Sequence, residues 1–141
     1  MSWFRKQRAL VPVDFSQDSL EAVDIGLDCV PDPSGLYVIH VIRPYGATDP
    51  EVMETVPDRD RIRKGQGKLD ETFREERFKG MHTTVVVGNP GNEITKLAEQ
   101  VGAELIIMPS HGRTGFRRIA LGSVAERVLR LAHCPVLVLR K

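Results

Sequence analysis

Five short apolar runs, separated by stretches of a different periodicity, constrain this chain most. Ala9–Val13, Gly35–Ile42, Thr83–Val87, Leu105–Met108 and Pro135–Leu139 are rich in β-branched residues and nearly continuous. A strand wetted on one face alternates polar and apolar residues; a strand buried on both faces does not. The runs therefore read as strands of a parallel sheet covered by helices. The segments between them repeat at helical spacing. Leu20, Val23, Leu27 and Val30 follow Ser16, a suitable N-cap, and Pro31 and Pro33 end the pattern. Ile94, Leu97, Ala98 and Val101 form a second stripe, with Pro90 suited to its first turn and Gly102 to its exit. Val124, Val128 and Leu131 form a third, starting after Ser123. Over 61–79, Ile62, Leu69 and Phe73 share a face, but Gly65 and Gly67 weaken it, so the helix there is expected from about Lys68 to Arg77. Pro44–Asp60 has no clean period and reads as a mobile or lid-like loop. The resulting order, β-α-β-α-β-α-β-α-β, predicts the α/β class with a mostly parallel, doubly wound sheet.

Composition narrows the partners. A chain of 141 residues reads as one domain, 1–141. Lys+Arg is 20 and Asp+Glu is 19, a net charge of +1, without the basic excess of a nucleic-acid binder. No apolar run approaches the roughly 20 residues that span a bilayer, and the opening MSWFRKQRALVPVD is not a signal peptide. The expectation is a cytoplasmic protein with no membrane and no nucleic-acid partner. Cys29 and Cys134 lie far apart and form no CxxC pair, so they read as small buried hydrophobes in a reducing compartment, with no metal site.

In open parallel sheets, ligands bind beyond the carboxyl ends of the strands. That rule singles out the exits Pro12–Ser16, His40–Arg43, Val87–Gly91 and Met108–Gly112. The last is the most informative, running on as PSHGRTGFRRIALGS from Pro109 to Ser123. Connections in such folds usually take roughly 2–6 residues, so a longer one points to a binding loop. Gly112, Gly115 and Gly122 let backbone approach a ligand closely. Gly122-Ser123 places amides and a hydroxyl at a helix N-terminus, where anions bind, and Arg113, Arg117 and Arg118 add positive charge. These residues fit a polyphosphate cradle; they also fit a surface turn with a serine cap and solvated arginines. There is no GxxxxGK[ST] and no GxGxxG after the first strand, which excludes the P-loop and disfavours the dinucleotide fold. Gly112-Arg113-Thr114-Gly115 matches the GxxG of an RNA-clamping KH module, but it follows a strand, and the charge balance gives it no help.

Taken in order, Val11-Pro12-Val13-Asp14-Phe15-Ser16, Gly88-Asn89-Pro90, Ser110–Gly115, Leu121–Val128 and the ending Cys134–Leu139 resemble the universal stress proteins of the single-domain type, over nearly the full length. The resemblance implies a three-layer α/β/α fold with a five-stranded parallel sheet, of the adenine nucleotide alpha hydrolase-like kind. It implies a homodimer through the final strand, here 135–140, and in many members ATP held by the pattern G-x2-G-x9-G-[ST] at the fourth strand exit. Here Gly112 is the second glycine, Arg113–Leu121 the nine-residue spacer, and Gly122-Ser123 the close. Pro109 stands where the first glycine would, removing an N–H and adding a ring. By the same resemblance, Asp14 sits beside the ribose or adenine, with Pro12 and Val13 at the same exit. Val13 stands where the family often has a small hydroxyl residue. Val41 lines the adenine pocket and Met108 packs nearby. Gly112 and Arg113 begin the phosphate loop, and Ser123 with the amides of Gly122 and Val124 holds phosphates. Mg²⁺ is expected with them, since it usually binds with substrate phosphates rather than in an all-protein cage. Asp14 also has a plainer reading, as a helix-entry residue that favours the following helix dipole.

The remaining residues carry less. His111 lies in the loop, but no nucleophile or second acid stands at a readable spacing, so no catalytic residue is assigned. His40 reads as a core histidine with a backbone partner, His133 as a basic residue at a helix C-terminus, and His82 as exposed. Gly88–Asn92 reads as a capped helix start. Trp3 and Phe4 are expected to pack on a sheet edge or a partner. The final strand, Val136–Leu139, is expected at an apolar edge that self-pairing about a two-fold axis would cover. Three functions compete. The leading one is a stress protein that binds ATP or a related adenine nucleotide as a sensor or switch, with at most slow hydrolysis. The second is a nucleotide-free homodimer acting through protein contacts, for which Pro109 speaks. The third is a nucleotide hydrolase or phosphotransferase.

Overall fold

In the computed structural model, which describes residues 5–45, 56–112 and 121–140, the apolar runs form five strands. They are β1 (Ala9–Pro12), β2 (Leu36–Ile42), β3 (His82–Val87), β4 (Ile106–Pro109) and β5 (Val136–Leu139). All pairings are parallel, and the order is β3-β2-β1-β4-β5. Four helices connect them: α1 (Gln17–Cys29), α2 (Asp58–Thr72), α3 (Pro90–Val101) and α4 (Ser123–Leu131).

Side-chain alternation along the strands sorts the core into two layers. Ala9, Val11, Leu36, Val38, Leu105 and Ile107 pack with Ala22 and Val23 of α1 and Leu69 of α2. Leu10, Ile39, Ile106 and Met108 pack with Ile94 and Ala98 of α3 and Ala125 and Val128 of α4. The sheet is thus covered on both faces, which is why its central strands needed apolar residues at every position. The result is the expected three-layer α/β/α fold with a five-stranded parallel sheet.

The caps follow the chemistry of their residues. Ser16 accepts from the Ser19 N–H at the start of α1. Asn89 accepts from the Asn92 N–H ahead of Pro90 in α3. Gly102 closes α3 in the left-handed region, at φ 68°. His82 is exposed and stacks on Tyr37 at 4.4 Å between ring centroids. His133 is exposed and lies 3.6 Å from Glu99. Burial pushes the thiols of Cys29 and Cys134 up, with the Asp28 carboxylate adding to the shift at Cys29, so both stay protonated at neutral pH.

The helix expected over Lys68–Arg77 runs instead from Asp58 to Thr72, ending with Phe73 as its C-cap, and Glu76–Phe78 forms a separate 3₁₀ turn. Gly65, which counted against the helix, is one of its two buried residues. A Cβ there would lie 3.1 Å from Val85 Cγ1 and 3.5 Å from His40 Cδ2, so the glycine lets α2 lie close to β2 and β3. The helix start is also pinned from outside. Arg61 donates through Nη2 to the Arg43 carbonyl at 2.7 Å, lies 4.0 Å over the Tyr45 ring and pairs with Asp58 at 3.4 Å. The loop expected over Pro44–Asp60 therefore gives way to helix at Asp58; residues 46–55, like Trp3 and Phe4, lie outside the described residues.

The two glycines of α2 should respond oppositely. Gly67 is exposed, with nothing within 4 Å of an added Cβ. Gly67→Ala should therefore raise unfolding stability by about 1 kcal/mol through helix propensity alone. Gly65→Ala should gain none of this, because Val85 must yield. Urea unfolding of the two variants checks both; a Gly65→Ala protein as stabilised as Gly67→Ala would contradict the close approach.

Candidate functional site

The chain lays β2 and β3 on one side of β1, then crosses over to lay β4 and β5 on the other. The crossover parts the connections leaving β1 and β4 to opposite faces, and crevices open at such points. A cavity of about 460 Å³ lies there, on the α3/α4 face. Its size is that of a small-molecule site. Pro12, Ile39, Val41 and Met108 supply apolar wall from the sheet, and Pro90 and Ile94 supply it from α3. Polar groups converge from the strand exits: Asp14 from β1, His111 from β4, Arg43 from β2, and Ser123 at the start of α4.

Asp14 is placed by a strained turn. Phe15 follows it at φ 66°, a left-handed conformation that a bulky residue adopts at a cost of order 1–3 kcal/mol. The turn is tied by local hydrogen bonds. The Ser16 N–H donates to Asp14 Oδ1 at 3.0 Å, Ser19 Oγ accepts from the Asp14 N–H at 3.3 Å, and the Ser19 hydroxyl donates to the Ser16 carbonyl at 2.9 Å. The other carboxylate oxygen, Oδ2, faces Gly112, where a Cβ would come within 3.2 Å of it. Asp14 thus lies in the turn that leads into α1, two residues before its N-cap Ser16, and it lines the cavity.

Opposite, the exit of β4 is closed by backbone. The buried Ser110 donates its N–H to the Leu139 carbonyl at 2.8 Å and accepts from the Gly122 N–H at 2.6 Å. Its hydroxyl lies 3.1 Å from His111 Nδ1. The two ends of the long loop therefore meet at Ser110. A Cβ on Gly122 would lie 3.1 Å from the Ser110 oxygen and 3.3 Å from His111 Cα, so this glycine serves a backbone-to-backbone contact. That corrects one expectation: the Gly122 amide is spent inside the protein and is not offered to a phosphate. Gly122 is also the N-cap of α4, and it provides no side-chain cap. The next amides belong to Ser123 and Val124, which both line the cavity.

Pro12, Val13, Asp14, Val41, Met108, Gly112, Gly122, Ser123 and Val124 all border this one cavity. Arg113 lies outside the described residues, with the rest of 113–120. Pro109 also lines the cavity, within the β4 ladder opposite Leu139. Arg43 and Pro90 fell within strand exits that the sequence singles out but were given no binding role, and Ile94, Ile39 and Ser19 were not foreseen as lining residues. The first was findable, since Arg43 falls two residues after Val41 and therefore on the same side of β2. Pro90 and Ile94 looked like a helix start and a core stripe; their second role follows only from where α3 packs. Among the described residues, no three His, Cys, Asp or Glu side chains cluster as a metal site, and no helix is long and apolar enough to cross a membrane.

An open parallel sheet with a polar-rimmed cleft at its crossover makes this an α/β domain with a cavity of small-molecule size. The family profile described as the universal stress protein family matches residues 6–140, and the chain belongs to that family. The universal stress protein MJ0531 of Methanocaldococcus jannaschii is 37% identical over 143 residues, covering 96% of this chain and 82% of that one. The solved structure of the hypothetical protein MJ0577 superposes with a TM-score of 0.78 at 30% identity, covering 96% of each chain. A universal stress protein solved in complex with cAMP shares the fold, with a TM-score of 0.59 at 22% identity, covering 96% of this chain and 98% of that one.

Gly122→Ala should cost about 1–3 kcal/mol, because the added methyl presses on the backbone of Ser110 and His111. Thermal unfolding measures this; a variant as stable as the parent would show that the loop base is not closed at Ser110.

Proposed function

We propose that this protein binds an adenine nucleotide, ATP foremost, in the cleft between β1 and β4, and acts as a sensor or switch. The observation that carries the reading is the pairing of opposed groups across one cavity. The Asp14 carboxylate lies at one exit, suited to accept from ribose hydroxyls, and the glycine-capped start of α4 lies at the other. Amides at a helix start favour phosphate, and a carboxylate at a strand exit favours a diol. The apolar wall of Val41, Met108 and Ile94 has the character that a purine face requires. In this reading Ser123 and Val124 hold phosphate oxygens, Gly112 and Gly122 keep the backbone low enough for them, and Arg113 adds charge. Mg²⁺ would arrive with the phosphates, since magnesium is commonly held by substrate phosphates and few protein groups. In this reading hydrolysis is slow at most. The protein works in the cytoplasm as one domain spanning residues 1–141.

A second reading rests on Pro109. Its ring borders the cleft and its nitrogen donates nothing, so a nucleotide-free protein acting through protein contacts competes. Titration calorimetry with Mg·ATP, and with cAMP as the alternative adenine ligand, decides between them. Binding should raise stability by about 2.7 kcal/mol at 100-fold excess over Kd. Asp14→Ala should weaken it about tenfold or more, Gly122→Val should abolish it in a protein that remains folded, and Pro109→Gly should leave it equal or tighter. Absence of heat and of thermal stabilisation at millimolar nucleotide would favour the second reading.

Homodimerisation through 135–140 belongs to the same proposal. β5 is an edge strand with four half-buried apolar residues, and Leu129 and Leu131 of α4 are exposed nearby in sequence. The Ile106 N–H bonds to the Pro135 carbonyl and the Ser110 N–H to the Leu139 carbonyl, so odd-numbered residues of β5 face β4. Val136 and Val138 then turn their N–H and C=O groups to the open edge. Val138→Pro should remove an outward donor, leave the β4 ladder intact and convert a dimer to a monomer in sedimentation. An unchanged sedimentation coefficient would place the interface elsewhere.

A further inference from the structure

We propose that His40, on the face of the sheet opposite the cleft, is the positioning residue that sets Asp14 for ligand binding. The inference rests on the nucleotide reading above and extends it to a residue that does not line the cavity. His40 lies beside Val13 in the β1–β2 register, one step past the Pro12–Ile39 pair. The Val13 N–H donates to the Ile39 carbonyl at 2.8 Å, as a strand residue should. Its carbonyl meets His40 Nδ1, also at 2.8 Å. A carbonyl oxygen only accepts, so this contact assigns the proton to Nδ1. A side-chain donor thus takes the carbonyl of Val13, the residue between the end of β1 and Asp14.

The imidazole holds the other side of Asp14 as well. Phe15, in its left-handed conformation, sets its ring edge-on to His40, with centroids 4.8 Å apart and planes at 62°. Lys68 Nζ of α2 lies 4.3 Å over the same Phe15 ring, and Gly65 lets α2 come down beside His40. The residues on either side of Asp14 are therefore both engaged by one histidine, which is in turn packed under α2. A strained turn persists only where its surroundings over-determine it. Here those surroundings are His40 and Phe15 behind the sheet, and the Ser16–Asp14 hydrogen bond within the turn.

The test compares three variants. His40→Phe keeps a ring against Phe15 and loses the donor; His40→Leu is the smaller substitute should Phe not fold. His40→Asn places an amide N–H near the position of Nδ1 and keeps the donor. Mg·ATP affinity by calorimetry should fall about tenfold in His40→Phe or His40→Leu, as expected for a lost orienting hydrogen bond, and stay within about threefold in His40→Asn. In an Asp14→Asn background the same His40 substitution should add less than about twofold, because its effect passes through Asp14. A ligand-free readout runs in parallel: amide hydrogen exchange at Ser16, whose N–H is held by Asp14. Exchange there should quicken about tenfold or more in His40→Phe or His40→Leu and recover in His40→Asn, while Ala22 and Val23 in α1 stay protected. Unchanged Ser16 exchange, loss of protection across all of α1, or no rescue by asparagine would overturn the proposal. A parent protein that takes up neither ATP nor cAMP would contradict the nucleotide reading alone, and the exchange comparison would still decide the role of His40.

Discussion

Everything at the cleft follows from the crossover that places β4 beside β1 after β3 has been laid on the far edge. A parallel sheet wound in one direction would pack helices shoulder to shoulder over the strand ends. Reversing direction at β1 separates the α1 entry from the α3 and α4 entries and leaves room between them. That room is stable because its floor is the buried centre of the sheet, where Leu10, Ile39, Ile106 and Met108 are 0–4% exposed. A small ligand can occupy such a space without the protein having to open a core.

The cleft spends backbone rather than side chains at its β4 edge. Ser110 joins three elements: its N–H goes to β5, its carbonyl to the N-cap of α4, and its hydroxyl to His111. The approach is close enough that Gly122 cannot carry a side chain without displacing Ser110. The β1 edge is built the other way, with side chains holding a strained backbone. His40 and Phe15 stand behind the sheet, Ser16 and Ser19 within the turn, and Asp14 is the product. The two edges thus present different groups to the cleft, a helix start at one and a carboxylate held by its turn at the other.

Much of this was legible in the residues. Five apolar runs became five strands because burial on both faces demands continuous hydrophobicity, and Ser16, Pro90 and Gly102 took the end positions that their backbone chemistry favours. The strand-exit rule brought Asp14, Met108, Gly112 and Ser123 to one place. Two things were not legible. Gly65 reads locally as a helix breaker, and only the packing of α2 on Val85 and His40 shows why a glycine belongs there. Gly122 reads as a phosphate donor, and only the tertiary contact with Ser110 shows its amide already taken. In both cases a long-range close approach overrode a local propensity, which no single stretch of sequence can express.

The most direct measurement is a crystal structure of the protein grown with Mg·ATP. The account predicts density for the nucleotide between Asp14 and Ser123, with phosphate oxygens at the first amides of α4 and the base against Val41. A cleft filled by side chains of the protein's own β4–α4 connection, with no space left for a triphosphate, would contradict it.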